Sequence, residues 1–155
     1  MVHPLIGLHA FLGELGAIGF LWVLIELINP TEERVKRAKI VSLISVVLIF
    51  LSWISGGYYY VNYYGESVKP IIKEGPQPWA HAIFMETKEH VFLFLPFLSI
   101  LTMSALWSNG RQILKNKKIK NSIIALSLLI FVLAFAIGAM GYIVSAGARM
   151  ALEVR

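Results

Sequence analysis

Four long apolar runs joined by short polar connectors constrain this chain more than any other feature. They cover about 5–28, 40–61, 91–107 and 123–148. Each is close to the roughly 20 residues that a helix needs to cross the hydrocarbon layer of a bilayer. In that solvent a segment has to satisfy its own backbone polar groups, and helices are the form that does so. The third run is the shortest. It reaches about 84–107 when AHAIFMETKEH is taken as its continuation into the headgroup zone. Pro96 inside it predicts a kink, with a carbonyl freed one turn earlier. The expected fold is all-α: one domain over 1–155, an integral membrane four-helix up-down bundle.

Composition agrees. Hydrophobic residues make up 57% of the chain and charged residues only 15%, against about 25% in a soluble domain. Mean hydropathy is +0.71. The absence of cysteine excludes disulfides, thiolate-ligated iron–sulfur clusters and haem attached through Cys-x-x-Cys-His. The net charge of +5 comes from cations in short connectors, with no basic groove of interleaved aromatics, so nucleic acid is not an expected partner.

Those cations set the expected orientation. Arg34, Lys36, Arg37 and Lys39 occupy the first connector; Arg111, Lys115, Lys117, Lys118 and Lys120 occupy the third. The middle segment YYGESVKPIIKEGPQPW, read as a Gly- and Pro-rich loop, offsets Lys69 and Lys73 with Glu66 and Glu74. The positive-inside rule then puts the first and third connectors in the cytoplasm and both termini outside the cytoplasmic membrane. Tyr58, Tyr59, Tyr60, Tyr63, Tyr64 and Trp79 fit an outer aromatic belt. The first residues carry no positive n-region or small-residue cleavage pattern, so no removable signal peptide is expected.

All four histidines fall at the outer end: His3 and His9 on the first span, His81 and His90 on the third. In an up-down bundle these spans run parallel and approach across the core. Two neutral imidazoles on facing helices suit one haem b. Depth favours His9 with His90, while His3 and His81 are either ligands of a second, shallower haem or solvated interfacial residues. Gly13 and Gly16 follow His9 at i+4 and i+7, where missing side chains would admit a flat macrocycle. Small residues at such spacing equally serve close helix packing, and the serine stripe of the second span, Ser42, Ser45 and Ser52, reads as interhelical hydrogen bonding. Glu86 lies four residues before His90, a spacing that suits a carboxylate orienting a ligating imidazole. Glu14 lies deep in the first span, where ionisable groups are functional candidates by default. It is the candidate catalytic group, as proton acceptor for quinol oxidation, with a partner for a haem ligand or for Arg149, or a protonated carboxyl bonded to a neighbouring helix, as the other readings. Glu26, nearer the cytoplasmic end, is expected to reach the interface. No Glu-x-x-His occurs, which disfavours a carboxylate-bridged di-iron site.

HPLIGLH, SGGYYY and GYIVSAGARM resemble the His-Pro…His start, the Gly-ended second span and the closing Gly-x-x-Val-x-x-Gly segment of a family of small four-helix membrane proteins akin to b-type cytochromes. Ala146 stands where that family often has histidine, so no ligand is expected from the fourth span. The resemblance implies haem b bound through His3, His9 and the third-span histidines. The functional expectation is therefore a haem protein with one or two haems b. It would carry electrons between the quinone pool, or a partner redox subunit, and an extracytoplasmic acceptor such as a cytochrome. Two alternatives stand beside it. One is a non-haem metal-binding transporter or oxidase using His9, Glu14, Glu86 and His90; the other is a structural subunit without cofactor.

Overall fold

The computed structural model describes residues 3–154. Every regular element among them is helical. Helix α1 spans Pro4–Ile28 and α2 spans Glu32–Tyr59. From α2 the chain passes without a break into a π-helical stretch, Tyr60–Val68, and then into α3, Lys69–Glu74. A second π stretch, Ala80–Met85, leads into α4, Glu86–Phe92, followed by α5, Phe94–Asn109, and α6, Lys117–Glu153. Four continuous helical runs are long and apolar enough to cross a membrane: Pro4–Ile28, Glu32–Glu74, Ala80–Asn109 and Lys117–Glu153.

The helix ends follow local chemistry. His3 caps α1 by accepting from the Leu5 amide, with Pro4 in the first turn where its missing N–H is no loss. Thr31 caps α2 by accepting from the Arg34 amide, and Glu32 and Glu33 complement the positive end of the helix dipole. Asn116 caps α6 through the amides of Lys118 and Ile119. One turn before Pro96, where the missing N–H frees a carbonyl, the α-helical hydrogen-bond pattern is interrupted at Leu93, between α4 and α5, while the backbone there stays in the helical region.

The middle segment departs from the expected loop. Helix continues through Gly65 and Pro70, and the chain leaves helical geometry only between Glu74 and Ala80. Pro70 falls in the first turn of α3, a position that tolerates it.

Adjacent pairs in the bundle are α1 with α2, α2 with α5, α5 with α6, and α6 with α1, which places α1 diagonally across from α5. Its interior has three apolar layers. Val23, Leu27, Ala38, Leu106 and Ile123 pack near the connectors at 29–31 and 110–116. Phe20, Ile49, Leu95, Ile130 and Ile137 form the middle layer, and Tyr64, Ile72, Ala80, Met85 and Val144 the third. The two ends differ in character. One is basic, with Lys39 and Lys120 donating to the Trp107 and Ile28 carbonyls. The other is tyrosine-rich, and both described chain ends lie there: His3 packs on Tyr59 and Tyr63, and Ala151 lies against Gly75.

Candidate functional site

The inward face of the third run reads His81, Met85, Lys88, Phe92, Leu95, Ser99, Thr102 and Leu106, spaced alternately by four and three. His90 is off this stripe. Its side chain is exposed, in line with Ile83, Phe94 and Phe97, and its Nδ1 donates to the Glu86 carbonyl one turn back at 2.7 Å. His81, expected nearer water, is instead 3% exposed. The two histidines do lie on different faces of the run, but the buried one is His81.

His9 is half-buried on the α2 side of α1. Its Nδ1 donates to the Ser52 carbonyl at 2.8 Å, and the Ser52 hydroxyl in turn donates to the His9 carbonyl at 2.8 Å. The imidazole fills the notch left by Gly56 and meets the Phe92 ring edge-on, with centroids 5.7 Å apart. His9 thus faces the diagonal helix, where it meets Phe92 and not His90. Gly13 and Gly16 face α2: a Cβ on them would lie 3.0 Å from Ser52 Oγ and 2.8 Å from Ile49 Cγ1. They are sites of close helix contact, which is the packing role small residues play in membrane bundles. Of the expected serine stripe, only Ser52 bonds between helices. Ser42 and Ser45 donate to carbonyls of their own helix, those of Lys39 and Val41. His3 is a helix cap inside the tyrosine cluster.

At the tyrosine-rich end, polar groups gather inside the bundle. Both ring nitrogens of His81 are engaged: Nδ1 lies 3.0 Å from the Tyr64 hydroxyl and Nε2 lies 3.4 Å from Glu86 Oε1. An ionised carboxylate only accepts, so Nε2 carries the proton, Nδ1 is the acceptor, and the phenol donates to it. Glu86 is 48% exposed at its side chain and Tyr64 only 2% exposed. The three groups therefore form a polar row, with a hydrogen bond between the buried phenol and the imidazole and a longer 3.4 Å contact between the imidazole and the exposed carboxylate. Tyr60 stacks on Tyr64, with centroids 5.4 Å apart, and its hydroxyl faces the Glu89 carboxylate. Glu89 Oε1 is buried without a hydrogen-bond partner among the described residues. Lys88 lies across the bare surface of Gly141 on α6, close enough to act electrostatically on His9.

Glu14 is exposed on the outer face of α1, away from His9 and from the polar cluster. Glu26 lies at the connector end of α1. It is 6% exposed, and its carboxylate accepts from Trp22 Nε1 (3.1 Å), Arg34 Nε (2.8 Å), and Arg37 Nε (3.0 Å) and Nη2 (3.1 Å). Arg34 also donates to the Ile25 and Asn29 carbonyls, closing the end of α1. Trp22 and Glu26 at i, i+4, followed by two arginines across a tight Asn-Pro-Thr turn, were the available signal for this clamp.

Each of His9 and His90 holds its Nδ1–H on a main-chain carbonyl, the arrangement that leaves Nε2 free for a metal. As a pair they do not fit one haem in this arrangement, because one faces the bundle interior and the other faces outward. Nor do His9, Glu14, Glu86 and His90 converge; among the described residues no group of three such side chains is placed to hold a metal ion. Compared with protein-family models, curated proteins and solved structures, the chain shows no match.

Proposed function

We propose that the chain is an integral protein of the cytoplasmic membrane with its tyrosine-rich end and both termini outside. At that end it passes protons between the outer surface and the bundle interior, in the service of membrane electron transfer with the quinone pool or a partner redox subunit. One observation carries this reading: buried His81 bridges exposed Glu86 and buried Tyr64. With the proton on Nε2 the relay runs outward: ionised Glu86 takes the Nε2 proton while Nδ1 takes the phenol proton of Tyr64, and Tyr64 regains a proton from the interior side, the shuttle role to which histidine is suited. The unpartnered Glu89 oxygen beside Tyr60 is a further acceptor on the interior side. Electron transfer to or from quinone is coupled to proton movement, which is why such a path belongs in a redox membrane protein.

The test is ring-nitrogen NMR of histidine-labelled protein in lipid nanodiscs as external pH is varied between about pH 5 and pH 8. The His81 signals should respond to external pH, and Glu86→Gln should change their tautomer balance. His81 signals that ignore both external pH and the Glu86 substitution would overturn the reading.

A second reading, a haem b electron carrier, rests on the free Nε2 atoms of His9 and His90. Haem would supply a one-electron centre at the outer end; holding it between these two residues requires the His90 face of α4 to turn inward. A visible spectrum decides. Sharp reduced α and β bands that are lost in His9→Ala and in His90→Ala, and kept in His3→Ala, support it. A colourless protein removes it, and colourless protein that retains a transition metal favours the metal-binding alternative.

A further inference from the structure

Glu14 sits ten residues into the 25-residue α1, about 15 Å along the axis from Pro4 and about 21 Å from Ile28. Its side chain is exposed, one turn from Phe11 (59% exposed) and Ile18 (47% exposed). Among the described residues no hydrogen bond or ion pair engages it. In the four-span membrane reading, on which this inference rests, a carboxyl group at this depth faces hydrocarbon. That is unfavourable for the charged form and, without a hydrogen bond, for the neutral form as well. The bundle offers no relief from within, so relief has to come from outside it.

We infer that the exposed face of α1 centred on Glu14 is a helix–helix interface with a second copy of this chain, in which the two Glu14 carboxyl groups hydrogen-bond to each other. Three features select this occupant. A two-fold axis along the membrane normal brings Glu14 to its own equivalent at equal depth. A carboxyl group that carries a proton is both donor and acceptor, so the pair is self-complementary. The same face carries Ala10 and Gly7, one and two turns toward the helix start, and open space lies where a Gly7 Cβ would be. Small residues there let two backbones approach.

Depth excludes the exposed His90 as the opposite partner. The His9 and Phe92 rings touch, which fixes the register of α1 against α4. Glu14 is five residues deeper than His9 and His90 two residues shallower than Phe92, a separation of about 10 Å along the axis. Outward-facing side chains near the depth of Glu14 on the other helices include Leu51, Phe97 and Phe135, which offer no hydrogen bond, and Trp53, whose indole donates but cannot accept as a second carboxyl group does.

The experiment is energy transfer between donor- and acceptor-labelled copies of the full chain in lipid vesicles, followed as the protein is diluted with lipid. Wild type should self-associate as a dimer. Glu14→Gln, whose amide also donates and accepts, should retain association. Glu14→Leu should weaken it by about 10-fold. Ala10→Phe, which keeps the carboxyl but fills the approach, should weaken it as well. Both positions are exposed, so thermal unfolding of each variant should match wild type and separates lost association from lost fold. A wild-type protein that stays monomeric at every dilution overturns the inference. So does a dimer that Glu14→Leu and Ala10→Phe leave intact.

Discussion

Gly56 is glycine because the His9 imidazole occupies the space its Cβ would need. That contact holds the ring on the Ser52 carbonyl, so the notch and the hydrogen bond form one device. Gly56→Ala should push the imidazole off Ser52 and cost about 1–3 kcal/mol, the usual range for overpacking; thermal unfolding in detergent measures it. At the other buried imidazole the relevant test is a double-mutant cycle. Tyr64→Phe leaves His81 Nδ1 buried without its donor, a loss of about 1–3 kcal/mol. His81→Leu leaves the phenol unpaired in the same way. The double variant Tyr64→Phe/His81→Leu should be less destabilised than the two single losses added together, because no polar group is then stranded. Strict additivity would show that the Tyr64–His81 hydrogen bond carries no coupling.

Among the elements, the four runs were readable because hydrocarbon imposes a length and an apolar composition that a sequence cannot hide. Faces were harder to read. On the third run, depth alone favoured His90, yet the inward stripe from His81 through Met85, Lys88 and Phe92 to Leu106 keeps helical spacing and passes His90 by. The stripe was hard to see because Lys88 and His81 are polar members of a buried face, while Phe94 and Phe97 are apolar members of an exposed one. A membrane bundle inverts the usual cue, since its outer surface is as apolar as its core. The middle segment was misread for a different reason. Gly65, Pro70 and Gly75 look like breakers, but π geometry at Tyr60–Val68 and a first-turn position for Pro70 let the helix run on to Glu74. Helix ends, in contrast, follow local rules. The Asn116 side chain accepts from the amides of Lys118 and Ile119 at 3.0 and 3.3 Å, so Asn116→Ala should cost about 1 kcal/mol. Thermal unfolding beside Asn116→Asp, which restores the acceptor, separates the cap from other effects.

For the whole molecule, the two ends carry opposite chemistry, and that asymmetry is what an orientation can be argued from. The basic end holds Arg34, Lys36, Arg37, Lys39, Arg111, Lys115, Lys117, Lys118 and Lys120, on the short connectors and the helix turns flanking them. The positive-inside rule favours the cytoplasmic side for such cations. The Glu26 clamp neutralises part of the charge of Arg34 and Arg37, but the third connector has no acidic residue and keeps its full excess. Aromatic side chains at the other end suit the headgroup boundary. Because the chain has no cysteine, single cysteines report sidedness without background. Glu66→Cys, exposed at the tyrosine-rich end, should react with a membrane-impermeant maleimide on intact cells. Lys115→Cys, exposed at the basic end, should react only after the membrane is opened. The reversed pattern would put the Glu86–His81–Tyr64 path on the cytoplasmic side, where it would exchange protons with the cell interior. Equal labelling of both positions in intact cells would count against a single orientation, and with it against any directed use of that path.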